Sequence, residues 1–300
     1  TGEAKAVLKH TARGLDAYIL CDCFNYSVTY KMYGQTVPMS PDDHYQDLKR
    51  IIAALGGKAR RITVIMPMLY EGRQHRRTTR ESMDCAMALQ ELVAMGVKNI
   101  VTFDAHDPRV NNAIPLDGFD NVQAAYQMIK ALLKTVPDIK LDRDHTMIVS
   151  PDEGGMGRCI YYSSVLGLDL GMFYKRRNYS VVVNGRNPIE AHEFLGNDIT
   201  GKDLILVDDM ISSGESMLDI AAKLKEKGAG RIFIFSTFGL FVEGFEKFDQ
   251  YYADGKIDKI FTTNLIYQPQ ELLDRDWYCS VNMSKYIALL VETLNYDNSI

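Results

Sequence analysis

Short apolar runs alternate with amphipathic stretches along most of the chain. Apolar runs at residues 16–21, 61–66 and 98–103 predict strands. Between them, residues 42–55 predict a helix stopped by Gly56 and Gly57, and residues 81–95 a helix stopped by Gly96. Residues 121–133 predict a further helix. The pattern then restarts. Residues 145–149, 169–174, 204–207 and 231–235 predict strands, and residues 156–166 and 216–227 predict helices. Strands that alternate with helices imply right-handed βαβ units and parallel sheets. Residues 91–103 and 224–235 share one grammar of helix, glycine stop and strand, but any βαβ unit has it.

Three hundred residues suit two domains of ordinary size. The charged, turn-forming stretch 138–144 is the expected boundary. This gives a first domain over 1–140 and a second over 141–282, with a C-terminal helix at about 283–300 expected to pack back on the first. The chain opens at Thr1, inside what reads as an element, so a preceding segment is expected.

The most informative stretch is 203–216. The apolar run 204–207 has the character of a buried parallel strand. Asp208 and Asp209 follow it, at the strand end where open α/β sheets bind ligands. Residues 210–216 then form a small-residue loop before a helix. Free N–H groups and the positive end of the helix dipole favour a phosphate there. The two carboxylates suit ribose hydroxyls or a hydrated Mg²⁺. The plain alternative is an acidic turn with a helix cap; adjacent acids after an apolar strand are costly for packing alone, which favours a ligand.

Other strand ends carry polar chemistry as well. The loop 67–80 is rich in arginine, with Arg73, Gln74, His75, Arg76 and Arg77 in succession. Such crowding is repulsive unless an anion offsets it, and guanidinium groups bind phosphate oxygens at two points. Asp104 and His106 follow one strand, and Asp152 follows another ahead of Gly154 and Gly155. Lys175, Arg176 and Arg177 end a third, before a polar stretch around residues 184–188 long enough to be a lid. A solvated basic loop and a hydrogen-bonded structural histidine are the bland readings of these positions.

Composition narrows the classes. A net charge of −5 with 24% charged residues is that of an ordinary globular protein, not of a nucleic-acid binder or of one held to anionic membranes. Five scattered cysteines without a CxxC pair fit a reducing cytoplasm and argue against zinc. No apolar run reaches membrane-spanning length. No GxGxxG, Walker or GxSxG pattern is present.

The order of the motifs resembles the ribose-phosphate diphosphokinase (phosphoribosyl-diphosphate synthetase) family over nearly the whole chain. Arg13-Gly14-x-Asp16 resembles its R-G-x-D, and Arg73-Gln74 the R-Q of its ATP loop. Asp104-x-His106 resembles its D-L-H, and residues 150–155 its S-P-D-x-G-G. Lys175-x-Arg177 resembles its catalytic K-R-R, and residues 207–211 its V-D-D-M-I. The loop 203–216 alone is shared with type I phosphoribosyltransferases, so a transferase of that type and a non-catalytic regulatory homologue are the alternatives. The chain departs from the pattern at Ser212 to Ser216, where the family has Asp-Thr-(small)-Gly-Thr and Glu215 replaces a glycine. It departs again at His75, Arg109 and Asn111.

The resemblance implies an α/β fold of two phosphoribosyltransferase-type (Rossmann-like) domains with parallel sheets, facing each other across a crevice. It implies transfer of the diphosphoryl group of ATP to ribose 5-phosphate, giving 5-phosphoribosyl 1-diphosphate and AMP for nucleotide biosynthesis, with Mg²⁺ as cofactor. Lys175 and Arg177 would be catalytic. Arg73, Gln74, His106 and Glu3 would bind ATP, the last as the tail of an adenine-contacting segment. Asp208, Asp209, Ser212, Ser213, Gly214, Glu215 and Ser216 would bind ribose 5-phosphate. His106 and Asp152 would hold the metal and lie on the same side of the crevice. Residues 75–80 are expected to be mobile without nucleotide, and the Glu215 carboxylate to turn away from the phosphate. A cytoplasmic homo-oligomer, dimer or hexamer, is expected, with no nucleic-acid or membrane partner.

Overall fold

The computed structural model describes residues 2–177 and 189–300. It divides into two compact units. One comprises residues up to Ala124 with Asn264–Tyr267 and Asn282–Ile300; the other comprises Ala125–Thr263 with Gln268–Val281.

In the first unit, β1 (Asp16–Leu20) is followed by a hairpin of β2 (Thr29–Met32) and β3 (Gln35–Pro38) and by helix α1 (Pro41–Leu55). Next come β4 (Arg61–Ile65), α2 (Asp84–Ala94), β5 (Asn99–Phe103), a 3₁₀ turn at Pro108–Ala113, and β6 (Gly118–Val122). The four long-range strands are parallel in the order β1-β4-β5-β6. Helix α1 starts where the sequence dictates. Ser40 Oγ accepts from the Asp43 N–H, the Asp43 carboxylate accepts from the Ser40 N–H, and Pro41 pre-sets the first turn. It ends at Gly56, whose φ of 57° is left-handed. Tyr45, Leu48, Ile52 and Leu55 recur at helical spacing and are buried; each stabilises by roughly 1.5–3 kcal/mol. The last helix, Ser284–Asn295, belongs to this unit, and Arg61 on β4 donates to the Leu294 carbonyl at 2.8 Å.

The second unit opens with α3 (Ala125–Thr135), then β7 (Thr146–Ser150), α4 (Met156–Leu166), β8 (Asp169–Arg177) and β9 (Ile189–Leu195). It continues through β10 (Asp203–Ile211), α5 (Glu215–Glu226), β11 (Ile232–Gly239), α6 (Glu246–Ala253), β12 (Lys259–Thr263), α7 (Gln270–Leu273) and β13 (Tyr278–Val281). The strands form one sheet in the order β13-β12-β11-β10-β7-β8-β9. All neighbours are parallel except β8 and β9. Every residue of β7 and β11 is buried, as expected of strands covered on both faces.

Four differences from the sequence-based expectation have physical reasons. The helix expected at 121–133 begins at Ala125, because Gly118–Val122 is the sheet-edge strand β6 and pairs with β5. Its polar Asp120 and Asn121 hide the apolar run. Strands β12 and β13 and the β2–β3 hairpin are short, and their patterns are too brief to read. Strand β10 does not stop at Val207; its ladder continues with Asp208 opposite Ser236 and Ile211 opposite Gly239. Finally, α5 begins at Glu215, one residue before the predicted start.

Candidate functional site

The second unit gathers its polar chemistry at the carboxyl ends of β7 and β10. Asp208 and Asp209 lie within the last part of β10, where β7 no longer pairs with it. Asp208 Oδ1 accepts the Asp209 N–H at 2.9 Å and lies 3.7 Å from Nη1 of Arg158 on α4. Burial, and next the charge of Asp209, push the Asp208 carboxyl well above the usual carboxylate range, with Arg158 opposing the rise. Asp209 itself is buried. Two adjacent carboxylates held this way gain from any added cation or hydroxyl donor.

Ser212, Ser213 and Gly214 join β10 to α5, and Glu215 and Ser216 form the first turn of that helix. Two contacts hold the loop. The Val242 N–H donates to the Ser212 carbonyl at 3.1 Å, and the Leu240 N–H to the Ile211 carbonyl at 2.9 Å. Gly214 has a φ of 82°, and a Cβ there would stand 2.9 Å from Cε1 of Phe248 on α6 and closer still to its Cζ. Only glycine satisfies both constraints. The Glu215 N–H faces Ser213 Oγ at 3.5 Å. Its carboxylate is bound by Lys247 Nζ at 2.5 Å, and Lys247 also reaches Glu243 at 3.2 Å. Lys247 thereby holds the Glu215 carboxyl below its usual value. The acid that departs from the family pattern is thus engaged by α6.

The loop between β7 and α4 is shaped by Asp152. Its Oδ1 accepts the N–H groups of Gly154 and Gly155 at 3.0 and 3.2 Å, and its carbonyl accepts Ser150 Oγ at 2.7 Å. A Cβ on Gly155 would crowd Ser150 Oγ at 2.9 Å. One Asp152 oxygen therefore fixes the turn. The backbone of Lys175 and Arg177 lies on β8, opposite His192 and Ile189 of β9. Their side chains, and the expected lid around residues 184–188, lie outside the described residues.

The first unit presents its chemistry at the ends of β4 and β5. After β4 the chain turns at Gly72, whose N–H donates to the Leu69 carbonyl at 3.0 Å. Arg73 and Gln74 follow and are exposed, as is Glu3. His75 opens the stretch expected to be mobile and is largely buried. Its side chain is 13% exposed, and its Nε2 lies 3.3 Å from Asp107 Oδ2. After β5, Asp104 is buried with a left-handed φ of 42°, a conformation that costs on the order of 1 kcal/mol or more. The Ala105 N–H donates to Asn121 Oδ1 at 2.9 Å, which shapes the turn ahead of the exposed His106. The rings of His75 and His106 are 5.5 Å apart between centroids. Arg109 binds the Asp107 carboxylate at two points and holds it far below its usual range.

His106 and Asp152 belong to separate units. Among the described residues no three His, Cys, Asp or Glu side chains form a ready-made metal cage. Hydrated Mg²⁺ needs none, since one or two carboxylates and substrate phosphates hold it.

Sequence reasoning missed Arg158, Lys247 and Asp107. Arg158 had a signal: a cation in the first turn of a helix opposes the dipole and calls for an anion nearby. Asp107 had one too, because Asp-Pro opens a helical turn and its side chain caps the Arg109 N–H at 2.9 Å. Lys247 had none.

Residues 1–96 match the family model described as the N-terminal domain of ribose phosphate pyrophosphokinase. Residues 181–300 match the one described as the phosphoribosyl synthetase-associated domain. The ribose-phosphate pyrophosphokinase of Pasteurella multocida strain Pm70 is 26% identical over 303 residues, which covers 100% of this chain and 87% of that protein. The protein of the same name from Ureaplasma parvum is 30% identical over 210 residues, 69% of this chain and 60% of its own length. In fold, the chain is similar to the phosphoribosylpyrophosphate synthetase from Mycobacterium smegmatis. The TM-score is 0.79 over 99% of this chain and 88% of that one, at 21% identity.

Proposed function

This chain belongs to the ribose-phosphate pyrophosphokinase family, and from that premise we propose how its residues divide the work. The reaction transfers the diphosphoryl group of ATP to ribose 5-phosphate, giving 5-phosphoribosyl 1-diphosphate and AMP. The anomeric hydroxyl attacks the β-phosphorus. A bond forms between that oxygen and phosphorus, the bridge to the α-phosphorus breaks, AMP leaves with the bridging oxygen, and the hydroxyl proton is released. Such chemistry depends on in-line positioning and on neutralising charge.

The observation that carries the assignment is the run from β10 into α5. Asp208 and Asp209 adjoin a loop whose closing glycine is fixed by Phe248 and which opens onto a helix N-terminus. The backbone from Ser212 to Ser216 would cradle the 5-phosphate. Asp208 and Asp209 would take the ribose hydroxyls or their cation. Arg73, Gln74, His106 and Glu3 would hold ATP. Lys175 and Arg177 would act on the charge that develops on the transferring group and on AMP. Mg²⁺ fits the donor set, because burial and the charge of Asp209 disfavour the ionised Asp208 carboxylate, and a divalent ion beside the two acids would offset that cost. Asp152 and His106 are the other groups that would hold it, and when bound it supplies charge neutralisation on the phosphates. A homo-oligomer, dimer or hexamer, is part of the proposal; the exposed Ile160, Tyr161 and Val165 on α4 suit burial between copies. No helix among the described residues is long and apolar enough to cross a membrane.

The test is AMP release from ATP by the purified chain. It should require both ribose 5-phosphate and Mg²⁺, and 5-phosphoribosyl 1-diphosphate should form in equal amount. ATP left intact by a folded, ATP-binding protein would point to a non-catalytic homologue. Consumption of phosphoribosyl diphosphate with a base would point to a phosphoribosyltransferase.

A further inference from the structure

Asp107 ties two parts of the first unit together. It stands after β5, next to His106, and is 9% exposed. Its Oδ2 lies 3.3 Å from Nε2 of His75, which belongs to the arginine-rich loop after β4. The same carboxylate takes Arg109 at two points, with Nε 2.9 Å from Oδ1 and Nη2 2.5 Å from Oδ2. It also accepts the Arg109 N–H at 2.9 Å. One buried carboxylate therefore serves a histidine from one loop and an arginine from another.

The His75 ring needs such a contact. Its Nδ1 is buried and meets no hydrogen-bond partner among the described residues. An unmet buried nitrogen disfavours the pose. Beyond the ring of His106, Asp107 is the acidic group that meets the histidine, and Arg109 grips the same carboxylate at two points. The Arg109 guanidinium is itself 78% exposed, so it is oriented from one side and open on the other. The neighbouring Arg73, Gln74, Arg76 and Arg77 are exposed as well.

We propose that Asp107 is a positioning residue of the nucleotide site: it docks the arginine-rich loop onto the exit of β5 through His75, and it orients Arg109 toward a nucleotide phosphate. The proposal rests on the reading that Arg73 and Gln74 hold ATP. A loop ordered before the nucleotide arrives loses less freedom on binding, and the gain goes to ATP alone.

The test is steady-state kinetics of the full chain carrying Asp107→Ala, Asp107→Asn, Asp107→Glu, His75→Ala and the His75→Ala/Asp107→Ala pair, beside Arg73→Ala. Asp107→Ala should raise KM for ATP about tenfold and leave KM for ribose 5-phosphate within about twofold. His75→Ala should also raise KM for ATP, and the double variant should be no worse than Asp107→Ala, because the histidine acts through the acid. Asp107→Glu should recover part of the loss. If Asp107→Ala does not fold, Asp107→Asn keeps the shape and should still raise KM for ATP. Equal changes in both KM values, or effects of His75 and Asp107 that multiply, would overturn the proposal. If Arg73→Ala raises KM for ATP while the Asp107 variants do not, only the positioning role falls. If Arg73→Ala leaves KM for ATP unchanged, the ATP reading fails and the proposal fails with it.

Discussion

Gly214→Ala is the sharpest perturbation the structure offers. The residue has a φ of 82°, and its added Cβ would overlap the Phe248 ring, which is itself fully buried against Trp277 and Phe241. Two terms therefore act. Holding an alanine in the left-handed region costs about 1–2 kcal/mol. Forcing a methyl group into the packed ring adds about 1–3 kcal/mol. Together they are on the order of 2–5 kcal/mol, a large share of the roughly 5–15 kcal/mol that holds a folded domain.

Urea unfolding of the variant measures the sum, and a second substitution separates the terms. Phe248→Leu frees space next to residue 214. In that background Gly214→Ala should lose the crowding term and keep the backbone term, so the double variant should be more stable than the two single losses predict. The loop Ser212–Ser216 should shift in the single variant, and KM for ribose 5-phosphate should rise while KM for ATP stays nearly unchanged. A Gly214→Ala protein within about 0.5 kcal/mol of the parent, the spread of ordinary surface changes, would refute the packing argument.

Other outcomes follow from the same geometry. The Asp208 carboxyl has a raised pKa in the folded chain, so the native state keeps a proton that the unfolded state has already lost. Its contribution to stability is complete below about pH 4 and is lost as pH rises through neutrality. Melting curves from pH 5 to 8 should therefore fall more steeply for the parent than for Asp208→Asn, and equal slopes would remove the assignment. Glu215→Gly should change KM for ribose 5-phosphate by less than about threefold, because Lys247 already engages the exposed carboxylate; a large gain of activity would mean that the natural chain is a weakened or regulatory member. Lys175→Ala should lower turnover by roughly 10²–10⁴-fold with little effect on ribose 5-phosphate affinity measured by titration, and loss of binding instead would make Lys175 a binding residue.

What could be read from the sequence follows from where each signal lies. Apolar runs such as 204–207 and 61–66 are unambiguous because both faces of those strands are covered, so nearly every side chain is apolar. The edge strand β6 escaped because its half-exposed positions tolerate Asp120 and Asn121, and those polar residues do local work, as Asn121 does for the Ala105 N–H. At the sites, motifs confined to one loop were legible: Asp208 to Ser216 lie in a single strand–loop–helix run. Partners from other elements were not. Lys247, more than thirty residues beyond Glu215 in the chain, meets it only because Phe248 packs α6 over Gly214.

That pairing bears on how a family loop can diverge at Glu215 and keep its backbone geometry. A glutamate in the first turn of a helix is favoured by the dipole, yet the same turn is where a phosphate would be held. The two anions would compete if the carboxylate faced the loop. Lys247 resolves the conflict from α6 by binding Glu215 at 2.5 Å and Glu243 at 3.2 Å. The loop backbone then keeps its geometry, because Gly214 rather than residue 215 carries the left-handed φ. Substitution is thus tolerated at the position whose side chain can be drawn off by a neighbour, and is barred at the position where a Cβ has nowhere to go. The same logic holds in the first unit, where the arginine-rich loop includes His75 and the β5 loop supplies the Asp107 carboxylate that meets it.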